Sequence, residues 1–85
     1  MVYVDDTQER YRGKVLCYMV ADTEAEMHAM AQLIGVRRRW CRTDLYGPLY
    51  RICRAMKARA IRNGAKEVTQ REFVQIVRRS KREQV

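Results

Sequence analysis

The stretch Glu24-Ala-Glu-Met-His-Ala-Met-Ala-Gln-Leu-Ile34, followed by Gly35-Val36 and then Arg37-Arg38-Arg39-Trp40, decides how this chain is read. Met27, Met30, Ala31, Leu33 and Ile34 recur at three-to-four spacing, which predicts an amphipathic helix over 24–34. Thr23 with Glu26 forms a capping box at its start. Gly35 ends it, and Arg37–Trp40 is expected to follow as a strand. The same grammar returns downstream. Pro48 suits a first helical turn, a helix is expected over 48–63, and Gly64-Ala65 leads into a strand at Lys66-Glu67-Val68. Leu49, Ile52, Cys53, Met56 and Ala60 share one side of that second helix, with Arg51, Arg54, Arg59 and Arg62 on the other. A helix that ends on Gly and feeds a strand is the second half of a βαβ unit.

Val2-Tyr3-Val4, at the start of the chain, is β-branched and aromatic, as suits a short strand. Thr7–Gly13 is polar and reads as a loop, and Lys14–Val20 is an apolar run of strand length. Thr69 with Glu72 caps a last helix anchored by Phe73, Ile76 and Val77. The expected fold is α/β: a small, mostly parallel sheet of three to four strands with about three helices, in the order β-(β)-α-β-α-β-α. Its 85 residues make a single domain, 1–85, with a marginal core that a homodimer would reinforce. No apolar run approaches the ~20 residues of a membrane span. Asp5, Asp6 and Glu9 interrupt the N-terminal segment, so no secretory signal is expected. Cys17, Cys41 and Cys53 are odd in number and lack C-x-x-C spacing, which fits reduced thiols in the cytoplasm.

The net charge of +8 is concentrated in one part of the chain. Residues 1–35 carry three basic groups against six acidic ones, a balance of −3. Residues 36–85 carry fifteen against four, a balance of +11. Such asymmetry predicts a surface that faces a polyanion. Arg37, Arg38, Arg39 and Arg42 form the densest cluster and surround the only Trp, Trp40, with Tyr46 and Tyr50 close downstream. Guanidinium forks match phosphate oxygens, and aromatic rings stack on bases. Together with Arg51, Arg54, Arg59 and Arg62, these arginines are the expected binding surface. The plainer reading makes Trp40 core and the arginines a solvated edge.

Catalytic chemistry has weaker candidates. Asp5 and Asp6 end a strand, where carboxylates can hold a divalent cation, with Asp22 and Asp44 as possible additional ligands. Neighbouring strand residues point to opposite faces, so only one of Asp5 and Asp6 can face a given site. His28 is the only His, lies beside the apolar stripe, and has Glu24 four residues before it. Tyr50 completes the catalytic candidates. Cys41 has a cationic neighbourhood, whereas Cys53 is expected in the core. The glycines are isolated, and no phosphate loop, nucleophile elbow or zinc-finger spacing is present. No cofactor is expected.

Several runs resemble one family. They are Val2-Tyr3-Val4-Asp5-Asp6, Ala21-Asp22-Thr23, Met27-His28-Ala29-Met30-Ala31, Ile34-Gly35-Val36 and Arg38-Arg39-Trp40, with Tyr50-Arg51-Ile52-Cys53 and Gly64–Thr69 downstream. Over nearly its whole length the chain resembles the uncharacterised domain of unknown function 4031, found in small proteins of bacteria and their phages. The family carries no settled activity, so the resemblance bears mainly on fold. Relatives carry His where this chain has Tyr18, Cys41 and Leu49, and Asp where it has Arg51. That pattern implies a binding role over catalysis here. The leading expectation is therefore a cytoplasmic basic module, of bacterial or phage origin, that contacts nucleic acid or another polyanionic surface such as an acidic protein. The alternative is a small metal-dependent hydrolase or nuclease with its acidic site at Asp5 and Asp6.

Overall fold

A computed structural model of the chain describes residues 1–44 and 47–83, without the side chains of 44 and 80–83. The chain opens as an interrupted β-hairpin. β1 (Val2–Val4) and β2 (Glu9–Tyr11) both pair antiparallel with β3 (Lys14–Ala21), Val2 opposite Ala21 and Glu9 opposite Leu16. After β3 come helix α1 (Glu24–Ile34), a 3₁₀ turn (Arg38–Trp40), β4 (Cys41–Asp44) and β5 (Gly47–Cys53). β5 pairs antiparallel with β3, setting Tyr18 opposite Arg51 and Met19 opposite Tyr50. β4 pairs antiparallel with β5 on its outer edge. Helix α2 (Arg54–Arg62), β6 (Lys66–Glu67) and helix α3 (Gln70–Glu83) complete the order, and β6 runs parallel to β1. The sheet order is β4-β5-β3-β1-β6. Leu16 is opposite both Glu9 and Cys53, so β2 must share the β1 edge of β3.

This corrects the expected architecture. Among the described residues the sheet is mostly antiparallel with six strands, not mostly parallel with three or four, and the one parallel pairing joins β1 and β6. The βαβ grammar holds for its second copy, where Gly64-Ala65 delivers β6 to β1. In the first the strand is displaced: Arg37–Trp40 is a linker residue and an exposed 3₁₀ turn, and the strand codirectional with β3 is β4, four residues further on. The segment 48–53 is a strand, not the start of a helix. Leu49, Ile52, Cys53 and Met56 mimic helical spacing, but Tyr50 and Ile52 at period two are the fully buried pair. The tract 7–13 hides β2, a three-residue strand without apolar alternation.

Alternation along β3 separates two cores. Cys17, Met19 and Ala21 join Val2, Val4, Tyr50 and Ile52 beneath α1 and α2, where Met27, Met30, Ala31, Ile34 and Ala60 close the cluster. On the other face Val20 meets Val68 and the α3 residues Phe73 and Val77, with Tyr3 and Tyr18 at the margin. Both capping threonines act as expected, and the reciprocal bond closes at α3, where Glu72 accepts from the Thr69 backbone N–H, whereas Glu26 accepts from the Thr23 hydroxyl. Thr23 Oγ1 accepts from the Glu26 backbone N–H, and Thr69 Oγ1 from that of Glu72. Gly35, at φ 87°, caps α1 in the left-handed conformation that a glycine adopts without strain.

Candidate functional site

The turn joining β2 to β3 positions the first part of the site. Tyr11 pairs with Lys14, and the two central residues, Arg12 and Gly13, have φ 50° and 76°. Positive φ at both is the type I′ geometry that matches the twist of a hairpin. Tyr11, Arg12 and Lys14 are thereby held at one end of the sheet. Gly35 turns the chain out of α1, so that Val36 and Arg37 reach the same end. Between them lies a groove of about 490 Å³. Its cations are Arg12, Lys14, Arg37, Arg42 and Arg51, and its rings are Tyr11 and Trp40. Among the described residues no carboxylate lines it. Tyr11 is 45% exposed and Trp40 55%, so both rings present surface to solvent, and Trp40 is not core. Arg12 and Arg51 approach the Tyr11 ring at 5.3 and 5.1 Å, and Arg39 stacks against Trp40 at 5.8 Å.

Arg51 is fixed from behind. Its Nη2 donates to Glu9 Oε1 at 2.8 Å, while the Tyr18 hydroxyl donates to Glu9 Oε2 at 2.6 Å. Its Nε is buried with no partner. The bond to Glu9, and then burial, hold the Tyr18 hydroxyl above its ordinary pKa, so it stays a donor.

A second groove, about 950 Å³, runs along α1. At its base Tyr50, fully buried, shares a 2.7 Å hydrogen bond with His28 Nδ1, and His28 Nε2 lies 3.2 Å from Glu24 Oε1. The structure therefore brings together two of the three catalytic candidates, His28 and Tyr50, but closes both imidazole nitrogens on internal partners. Burial chiefly raises the Tyr50 hydroxyl. Cys41, opposite Tyr50 on β4, is raised by burial and then by Glu24, which keeps it a thiol rather than a nucleophilic thiolate at neutral pH.

The third candidate lies elsewhere. Asp5 is fully buried, and its carboxylate accepts from the Tyr18 and Thr7 backbone N–H groups and from the Thr7 hydroxyl. Asp6 accepts from the Gln70 backbone N–H at 2.8 Å and so caps α3. Asp22 lies 3.3 Å from the Met1 amino group. Among the described residues no three His, Cys, Asp or Glu side chains converge as metal ligands. Tyr46 and the Asp44 side chain lie outside the described residues.

The eight expected arginines divide. Arg37, Arg42 and Arg51 line the basic groove, Arg37 and Arg38 the α1 groove, and Arg39 backs Trp40. Arg54, Arg59 and Arg62 are exposed on α2 outside both grooves, and Arg59 Nη1 donates to the Ile34 carbonyl at the end of α1. Tyr11, Arg12 and Lys14 were missed. The Arg12-Gly13 pair just before the apolar run Lys14–Val20, with Tyr11 beside it, was the signal available for them.

A family model described as a protein of unknown function, DUF4031, matches residues 2–80. The chain belongs to this family. No curated protein and no solved structure matches it. Of the four positions expected to depart from the family pattern, Tyr18, Leu49 and Arg51 share the α3 face of the sheet. Cys41 packs on the other face, at the margin of the core beneath α1.

Proposed function

We propose that this chain is a small cytoplasmic module that binds nucleic acid through the basic groove. One observation carries the reading: five cations and two exposed aromatic rings converge on a groove that no described carboxylate lines. The guanidinium groups match phosphate oxygens, and the rings offer stacking surface to bases. An acidic protein surface would use the cations and leave the rings idle, so nucleic acid is the better fit. The cytoplasmic assignment rests on three free thiols, Cys17, Cys41 and Cys53. No helix among the described residues is long and apolar enough to cross a membrane. The hydrolytic alternative at Asp5 and Asp6 has no supporting observation, since both carboxylates already serve the backbone.

The test is fluorescence anisotropy with labelled RNA and DNA oligonucleotides over a salt series, with and without magnesium. The logarithm of affinity should fall linearly with the logarithm of salt, by about 0.7 for each single-strand phosphate contacted. Replacing Arg12, Arg37 and Arg42 together by Ala should weaken binding and make that slope shallower by about 2. Replacing Arg54 and Arg62, outside the groove, should have a smaller effect. A triple variant that binds like the parent would sink this assignment. Magnesium-dependent cleavage lost on Asp5→Asn would favour the hydrolytic alternative instead.

A further inference from the structure

The two grooves are not separate. Both are lined by Gly35, Val36 and Arg37, so they adjoin along that segment. In the basic groove lie the exposed Tyr11 and Trp40 rings. Arg37 is common to both grooves. In the α1 groove Arg38 offers a further cation, Gln32 adds an amide that can donate and accept, and the Glu24 carboxylate lies 3.2 Å from His28 Nε2. From this continuity we infer that the ligand is a flexible single strand of nucleic acid, long enough to occupy both grooves, and not a duplex. The inference rests on the nucleic-acid reading above and narrows it.

One physical argument selects the single strand. Rings set in a groove reach the faces of bases only when those bases are unpaired and splayed, which is how aromatic platforms hold single strands. In the basic groove cations and rings then serve the two parts of each nucleotide: guanidinium to phosphate, ring to base. The α1 groove contributes only to strands that extend past Arg37, so its contribution must appear as a dependence on length.

Ala29 gives a clean way to test this. It is exposed on α1, lines the α1 groove and does not line the basic groove. Ala29→Glu places bulk and negative charge in the α1 groove and leaves the basic groove intact. Anisotropy is measured at low salt with single strands of about 4 and about 12 nucleotides, in RNA and DNA forms, and with a duplex of the longer sequence. The parent chain should bind the longer strand about tenfold more tightly than the shorter one, and more tightly than the duplex. Ala29→Glu should abolish the gain with length and leave the short strand bound as before. Ala25→Glu, one turn earlier on the same groove, should repeat the result and guard against a local folding defect. A duplex bound as tightly as the long strand, or a gain with length that survives both substitutions, would overturn the inference while leaving nucleic-acid binding in place. Absence of binding to every oligonucleotide would remove the binding reading itself.

Discussion

At the scale of single residues, Asp5 makes the clearest case. Its backbone N–H still joins the ladder by donating to the Tyr18 carbonyl. The reciprocal bond fails because the chain breaks out of strand geometry between β1 and β2. The Asp5 carboxylate supplies the missing acceptor for the Tyr18 N–H at 2.9 Å, and at the same time holds Thr7. A buried polar group left without its partner costs about 1–3 kcal/mol. Asp5→Ala is therefore expected to destabilise the chain by about 2–4 kcal/mol, because several bonds are lost together. Urea denaturation measures this. A carboxylate kept only to hold a cation would be dispensable for folding in chelator, so an Asp5→Ala variant of unchanged midpoint would return Asp5 to the catalytic candidates.

Elements show where local sequence suffices and where it does not. The range of α1 is readable because its cap, stripe and terminal Gly lie close together; Met27, Met30, Ala31 and Ile34 are buried as their spacing implies, whereas Leu33, expected on the same stripe, is 63% exposed. α3 is readable from its cap and its Phe73–Val77 anchor. β5 is not, since its identity depends on Tyr18 and Met19 more than thirty residues away. Without that pairing, Gly47-Pro48 and the 49, 52, 53, 56 spacing point to a helix. β2 likewise exists only because β3 accepts it. The site inherits this division. The arginine-Trp cluster is legible as a run, but the partners Tyr11 and Arg12 sit on a local hairpin that only the long-range pairing of β3 with β5 carries to that cluster. The turn itself carries a conflict between stability and binding. Arg12 sits at φ 50°, a conformation costing an ordinary L-residue roughly 1 kcal/mol that Asn tolerates better. Arg12→Asn should raise stability by up to about 1 kcal/mol and yet weaken nucleic-acid binding. Thermal unfolding and anisotropy on the same preparation check both signs. A variant both less stable and equally tight would contradict the role given to Arg12.

For the whole molecule, charge decides how it responds to salt. The acidic groups of the N-terminal part are largely engaged within the fold. Asp5 and Asp6 serve backbone N–H groups, Glu9 holds Arg51, Glu24 meets His28, and Asp22 and Glu26 meet the Met1 amino group. What remains outward is mostly cationic, in a chain of net charge +8. Self-repulsion of that kind destabilises the compact state and is screened within about 10 Å at 0.1 M salt. Most of the ion pairs just named have at least one half-exposed partner, and pairs of that kind contribute only about 0–1 kcal/mol each. Relief of repulsion should therefore outweigh their loss. The fold is expected to become more stable as salt rises from low ionic strength to about 0.2 M, while affinity for single-stranded nucleic acid falls steeply over the same interval. Bound oligonucleotide should in turn replace salt as the neutralising partner. At a free concentration of about 100 times its dissociation constant it would add roughly 2.7 kcal/mol to stability. Urea midpoints with and without oligonucleotide, at low and moderate salt, give both quantities from one preparation. Stability and affinity that move in the same direction with salt would mean that the cationic surface is already compensated within the chain and has no polyanion to meet.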